Sequence, residues 1–171
     1  MTMQIVGGVL VCAATTLLGV HMGNQGSMRA KDLMEFKKTL LMLKSQIDYC
    51  IYTLPQAFMH ISERTSPPFS EFYEDIAKKL DEGQMDAPTA WEEGLDALKA
   101  SNLTKDDLAN IAMLGTSLGN MDAKVQINSI DMLLTGIDEN LNALLKENPK
   151  NMKMFRGLGV VSGLLITIVL L

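Results

Sequence analysis

Apolar residues recur at steps of three and four along the chain, beginning with Leu33, Phe36, Leu40, Leu43, Ile47, Cys50 and Leu54. That alternation keeps one helical face apolar and predicts a seam packed against another helix. A second seam of the same kind runs through Ile127, Ile130, Leu134, Ile137, Leu141 and Leu144. Shorter helices lie between them. Pro55, just after Thr53, starts one that carries Phe58 and Ile61 toward Arg64, with Ser66-Pro67-Pro68 ending it. The next covers residues 70–80, with Phe72, Ile76 and Leu80 on one face and Gly83 as its C-cap. Asp86 and Pro88 open a fourth, carrying Trp91, Leu95 and Leu98. Thr104 followed by Asp107 resembles a capping box and starts a fifth with Leu108, Ile111, Met113 and Leu114, closed by Gly119. Asp122 caps the last and longest helix, and Pro149, which lacks an N–H, should kink or break it. No segment sustains a period of two with β-branched residues. The fold class is therefore all-α, a bundle of about six helices in which the two long seams are partners.

The ends read differently. Residues 1–27 and 157–171 carry no charge, and each is helical in pattern, as a segment in hydrocarbon must be to satisfy its own backbone. Residues 157–171 alone reach only about 22 Å of the roughly 30 Å needed. Counting back through Phe155 and Met152, with Arg156 and Lys153 snorkelling, supplies the rest. The chain thus divides into an N-terminal transmembrane segment (1–27), a helical bundle domain (28–150) and a C-terminal transmembrane segment (151–171). Gly19 with Gly23, and Gly159 with Gly163, form GxxxG pairs that permit close packing of membrane helices. Arg29, Lys31, Lys37, Lys38 and Lys44 follow the first stretch, and Lys146, Lys150, Lys153 and Arg156 precede the second. By the positive-inside rule the central domain is cytoplasmic and both termini lie outside. No basic n-region precedes Ile5, so the first stretch reads as an anchor and not as a cleaved signal peptide. Val11 before Cys12 argues against a lipoprotein acceptor.

Composition adds three constraints. Cys12 and Cys50 offer no disulfide framework, which suits a reducing compartment. Thirteen methionines against one tryptophan indicate a core of flexible aliphatic side chains. The net charge of −5 is unevenly spread: residues 63–139 hold sixteen acids against six bases, whereas residues 29–44 hold five bases against two acids. A basic collar suits anionic lipid headgroups, and the acidic remainder excludes nucleic acid as a partner. The acidic surface serves solubility or docks a basic protein.

Gly115-Thr116-Ser117-Leu118-Gly119 matches the GxSxG nucleophile elbow by letter. The elbow needs a preceding strand and a histidine base, but here a helical pattern precedes it, and the two histidines are His21, beside a span, and His60, on a short helix. Small residues at 115, 117 and 119 serve helix approach or helix termination instead. His60 has no Cys or His at metal-ligand spacing. The pairs Glu74-Asp75, Glu92-Glu93 and Asp106-Asp107 point in different directions on a helix and read as solvated faces. There is no Walker A sequence, dinucleotide fingerprint or CxxC. No catalytic residue, metal site or cofactor is expected.

The order of features resembles the stage III sporulation protein AB family of endospore-forming bacteria. The residues that carry the resemblance are Trp91-Glu92-Glu93, Gly115-x-x-Leu118-Gly119-x-x-Asp122-x-x-x-Gln126, and Leu158-Gly159 with Gly163-Leu164-Leu165 in a terminal span. The resemblance covers essentially the whole chain. It implies one copy of the helical cytoplasmic domain of the F-type platform protein of type II secretion. Thr116 stands where the platform's Gly-Glu-x-x-Gly turn carries glutamate, so a role requiring that carboxylate does not carry over. The implied function is a non-enzymatic component of a channel between mother cell and forespore. It would sit in the mother-cell membrane and act as an assembly platform for a secretion-type ATPase and other channel proteins, with homo-oligomerisation open. The alternatives are a membrane-anchored regulatory adaptor and a membrane-anchored serine hydrolase.

Overall fold

The computed structural model describes the backbone of residues 2–49, 52–119 and 122–170 and the side chains of residues 24–49, 52–119 and 122–146. Among these there are six α-helices and no strand: α1 (Thr2–Asp48), α2 (Leu54–Ser62), α3 (Phe69–Asp81), α4 (Ala87–Leu98), α5 (Lys105–Gly115) and α6 (Ala123–Leu170). The chain divides into two compact units, Met1–Ala30 with Asn142–Leu171, and Lys31–Leu141.

In the first unit the helical backbone continues past Pro149. The expected break is absent, because proline removes one donor and leaves the neighbouring helical bonds in place. Among the described residues no helix is long and apolar enough to cross a membrane. The expected spans, apart from residues 24–27, and both GxxxG pairs, Gly19 with Gly23 and Gly159 with Gly163, lie outside the described side chains.

The second unit is built on the two long seams. Leu33, Phe36, Leu40 and Leu43 of α1 are buried, as are Ile130, Leu134, Ile137 and Leu141 of α6. Two ion pairs fix their register: Lys37 Nζ lies 2.6 Å from Asp138 and Lys44 Nζ 2.6 Å from Asp131. One pair lies seven residues on along α1 and seven residues back along α6, so the helices run antiparallel with matching heptads. The first seam is shorter than its sequence pattern. α1 stops at Asp48, Leu54 opens α2, and Cys50 lies outside the described residues.

The short helices follow their local signals. The Asp86 carboxylate accepts the Thr89 N–H at 3.0 Å to start α4. Bonds from the Thr89 side chain and backbone hold the Asp86 carboxyl below the usual carboxylate range. In the capping box of α5, Thr104 Oγ1 accepts from Asp107 N–H at 3.2 Å, and Asp107 accepts the Thr104 N–H at 2.9 Å. Gly83 follows α3 with φ +65°, a conformation open to glycine without a Cβ penalty. α5 ends at Gly115 and not at Gly119; Gly119, at φ +76°, closes the turn that follows.

α2 packs on α3, α3 on α4 and α4 on α5. α3 is thus covered on two sides, and it buries Phe69, Tyr73 and Ala77 in addition to the expected Phe72 and Ile76. The Tyr73 hydroxyl is satisfied 2.7 Å from Thr39 Oγ1, and burial pushes its phenol well above the ordinary tyrosine value. Met113, expected on the apolar face of α5, is 70% exposed.

Candidate functional site

Two of the motif residues, Trp91 of α4 and Gly115 of α5, meet at one buried indole. Trp91 is fully buried, and its ring packs edge-on against Phe72 at 4.9 Å, with Phe58 at 6.0 Å and Tyr73 at 6.2 Å. Its Nε1–H donates to the Ile111 carbonyl at 2.9 Å, which fixes the ring against α5. Gly115 is the residue this placement demands. A Cβ there would lie 2.4 Å from Trp91 Cδ1. Gly94 plays a similar part on α4, where a Cβ would come within 3.0 Å of Ile76 and 3.1 Å of Phe72. Leu118 is buried beyond Gly115, and a Cβ on Gly119 would approach the Ala87 methyl to 3.2 Å.

Asp122 opens α6: its Oδ1 accepts the Lys124 N–H at 2.9 Å, and its carbonyl accepts the Val125 N–H. Gln126, one turn on, is buried. Glu92 and Glu93, adjacent to the tryptophan in sequence, both point to solvent, and Glu93 pairs with Lys79 at 3.0 Å. The structure therefore brings Gly115 onto Trp91 and Gly119 onto Ala87 of the same helix α4, buries Leu118 between the two glycines in sequence, and leaves the two glutamates on the outer face of α4.

Ser117 does not stand on an elbow. A helix precedes it, and its hydroxyl donates to the Leu114 carbonyl at 2.8 Å, as serines at helix ends do. His60 is held elsewhere, its Nδ1 2.8 Å from Gln46 Nε2 and its ring against Tyr52. Among the described residues no group of three His, Cys, Asp or Glu side chains could hold a metal ion. Ser117→Ala is expected to leave thermal stability within about 0.5 kcal/mol, as surface changes usually do. A hydrolytic turnover of the parent that the folded Ser117→Ala protein loses would reopen the nucleophile.

Sequence reasoning missed a groove of about 380 Å³ beside this corner, between α5 and α6. Leu33, Ile111, Leu114 and Ile137 form its apolar base. Asn110 and Asn140 line it, and Asp107 is buried at one end. Asp107 is already committed to Thr104, and Asn140 Nδ2 approaches it at 3.5 Å. Such a lining can hold an apolar side chain; it offers no activated nucleophile or base.

A comparison with protein families matches the model for stage III sporulation protein AB over residues 4–171. Among curated proteins, the chain is similar to stage III sporulation protein AB of Bacillus subtilis (strain 168), at 27% identity over 170 residues and 99% of each chain. Among solved structures it is similar to a stage III sporulation protein AB at a TM-score of 0.66 and 24% identity, covering 71% of this chain and 96% of that one. The structural likeness establishes the helical fold.

Proposed function

The chain belongs to the stage III sporulation protein AB family, a sporulation family, and from that premise we propose that it is a non-enzymatic membrane platform on which a sporulation channel assembles. The observation that carries this reading is the use made of the motif residues. Trp91, Gly115, Leu118 and Gly119 are consumed in packing a helical corner, and Ser117 is bonded to its own helix. A motif spent on internal packing builds a rigid surface for other proteins to contact. The uncharged ends at residues 1–27 and 157–171 supply the anchors, and the lysines and arginines beside them keep the bundle on the mother-cell cytoplasmic side. Anionic lipid headgroups face the start of the basic collar, Arg29 and Lys31, and a secretion-type ATPase docks on the acidic part of the bundle.

Topology tests the proposal directly. A cysteine introduced at Gln84, an exposed position beside Gly83, should resist a membrane-impermeant thiol reagent in intact cells, in a background lacking Cys12 and Cys50. Tags at Met1 and Leu171 should be reachable from outside. Labelling of the Gln84→Cys site, beside Gly83, in intact cells would invert the topology and end the platform reading as stated. Cross-linking in sporulating cells, with identification of attached proteins, then tests for the ATPase.

A further inference from the structure

Two faces of the Lys31–Leu141 unit complement each other in charge. One is a shallow groove of about 660 Å³ formed by α1 and α2. Lys37, Lys38, His60 and Arg64 line it, and no carboxylate does. Met34, Leu41 and Tyr52 supply apolar surface there, at 50%, 48% and 44% exposure. Lys37 reaches across to Asp138, but Lys38 and Arg64 are exposed, Lys38 having a 3.8 Å approach to Glu35 and donating to the Arg64 carbonyl at 3.4 Å.

The other face is α3–α4. Residues 69–98 carry nine acids against two lysines. Both lysines are committed, Lys78 to Glu74 at 2.5 Å and Lys79 to Asp75 and Glu93 at 2.8 and 3.0 Å. On α4 the residues Thr89, Glu92 and Asp96 form an exposed stripe spaced at three and four, with half-exposed Leu95 beside it. Asp96 also pairs with Lys99, just past the helix, at 2.5 Å, an exposed ion pair that a closer cationic partner can displace.

Size and height also agree. The groove follows α1 over residues 34–46, about 18 Å at 1.5 Å per residue. α4 has twelve residues and the same length. The Asn102 N–H and side chain both donate to Asp32, at 2.7 and 2.8 Å, tying the end of the α4 segment to the start of this part of α1. Further along α1, Thr39 meets Tyr73, which packs against Trp91. α4 therefore runs antiparallel to this part of α1. Lys38 and the Glu92 to Asp96 stripe fall between the same two levels along α1. Copies side by side with parallel α1 helices, a common orientation that the platform reading requires, would bring the stripe of one opposite the groove of the next without an offset along α1.

We infer that the α1–α2 groove of one copy receives the acidic face of α4 of a second copy, a head-to-tail contact between identical chains. The inference rests on the platform reading for the common orientation of the copies. Its two surfaces differ, so the contact is heterologous and propagates into a ring or a row. Steering by opposite charges sets its register, and exposed pairs make it salt-sensitive.

The test is a charge swap in the full chain purified in detergent, with association read by sedimentation equilibrium from about 0.05 to about 0.5 M salt. One variant reverses the groove (Lys38→Glu with Arg64→Glu) and the other reverses the stripe (Glu92→Lys with Asp96→Lys). All four side chains are exposed, and helicity by circular dichroism should be unchanged. The parent should self-associate at low salt, and each variant alone should associate about tenfold more weakly or worse, about 1.4 kcal/mol. An equal mixture should recover parental association, because each groove then meets a stripe of opposite sign. A monomeric parent at low salt overturns the inference, as does a mixture no better than its components. Association lost by groove reversal but retained by stripe reversal assigns the groove to another acidic partner or to anionic lipid, and also overturns it. Inverted topology at Gln84 with normal charge-swap behaviour would instead strike only the platform reading.

Discussion

Leu40→Asp should abolish the cooperative melting of the helical bundle. Leu40 is fully buried on α1, between Lys37 and Lys44, whose ion pairs set the register with α6. A carboxylate there meets the α6 seam and has no cation at its own depth. Such a charge either stays ionised at large desolvation cost or takes up a proton and remains a poorly matched polar group. The expected loss exceeds about 4 kcal/mol, against a total stability of about 5–15 kcal/mol for a domain. The neighbouring Leu41→Asp is the control, because Leu41 is 48% exposed and its replacement leaves a solvated charge. Thermal unfolding followed by circular dichroism should show no transition for Leu40→Asp and a near-parental one for Leu41→Asp. A parental melt for Leu40→Asp would remove Leu40 from the seam.

The parts of the fold legible in the sequence are those whose causes are local or strictly periodic. The caps at Asp86 and Thr104 and the turn at Gly83 are decided within three or four residues, and the structure has each of them. The pairing of the two long helices is legible because seven-residue repeats on both fit only each other. α3 is different: one apolar stripe through Phe72, Ile76 and Leu80 describes a helix covered on one side, but α2 and α4 cover two sides. Tyr73 and Phe69 are core residues because α1 meets α3 as well, Thr39 at the Tyr73 hydroxyl and Phe36 at the Phe69 ring. The opposite case is Met113, where a helical pattern continues onto a face left exposed among the described residues. At the candidate site, the combination of Trp91 with Gly115 and Gly119 is visible as letters. Its cause is a contact across more than twenty residues, which no local pattern encodes. The α5–α6 groove needs both helices in place before Asn110 and Asn140 share a wall.

Gly115→Val should lower the melting temperature by about 12 °C, about 3 kcal/mol at roughly 4 °C per kcal/mol for a domain of this size. The indole cannot retreat. Its Nε1–H is bonded to Ile111, and Phe58, Phe72 and Tyr73 pack around it. A Cβ at position 115 begins 2.4 Å from Cδ1, and the two methyls of valine add to the overlap. Replacing a helical glycine normally gains at most about 1 kcal/mol in backbone propensity, and less for a β-branched residue, so the steric term decides the sign. The double-mutant cycle isolates that cause. Trp91→Ala alone should cost about 3–5 kcal/mol through the space it leaves, but in that background Gly115→Val should cost little, because the overlap is gone and the cavity accepts the added methyls. The coupling between the two positions should therefore be about 2 kcal/mol or more. Additive costs, with Gly115→Val equally destabilising beside Trp91 and beside Ala, would show that position 115 is glycine for its backbone and not for the tryptophan.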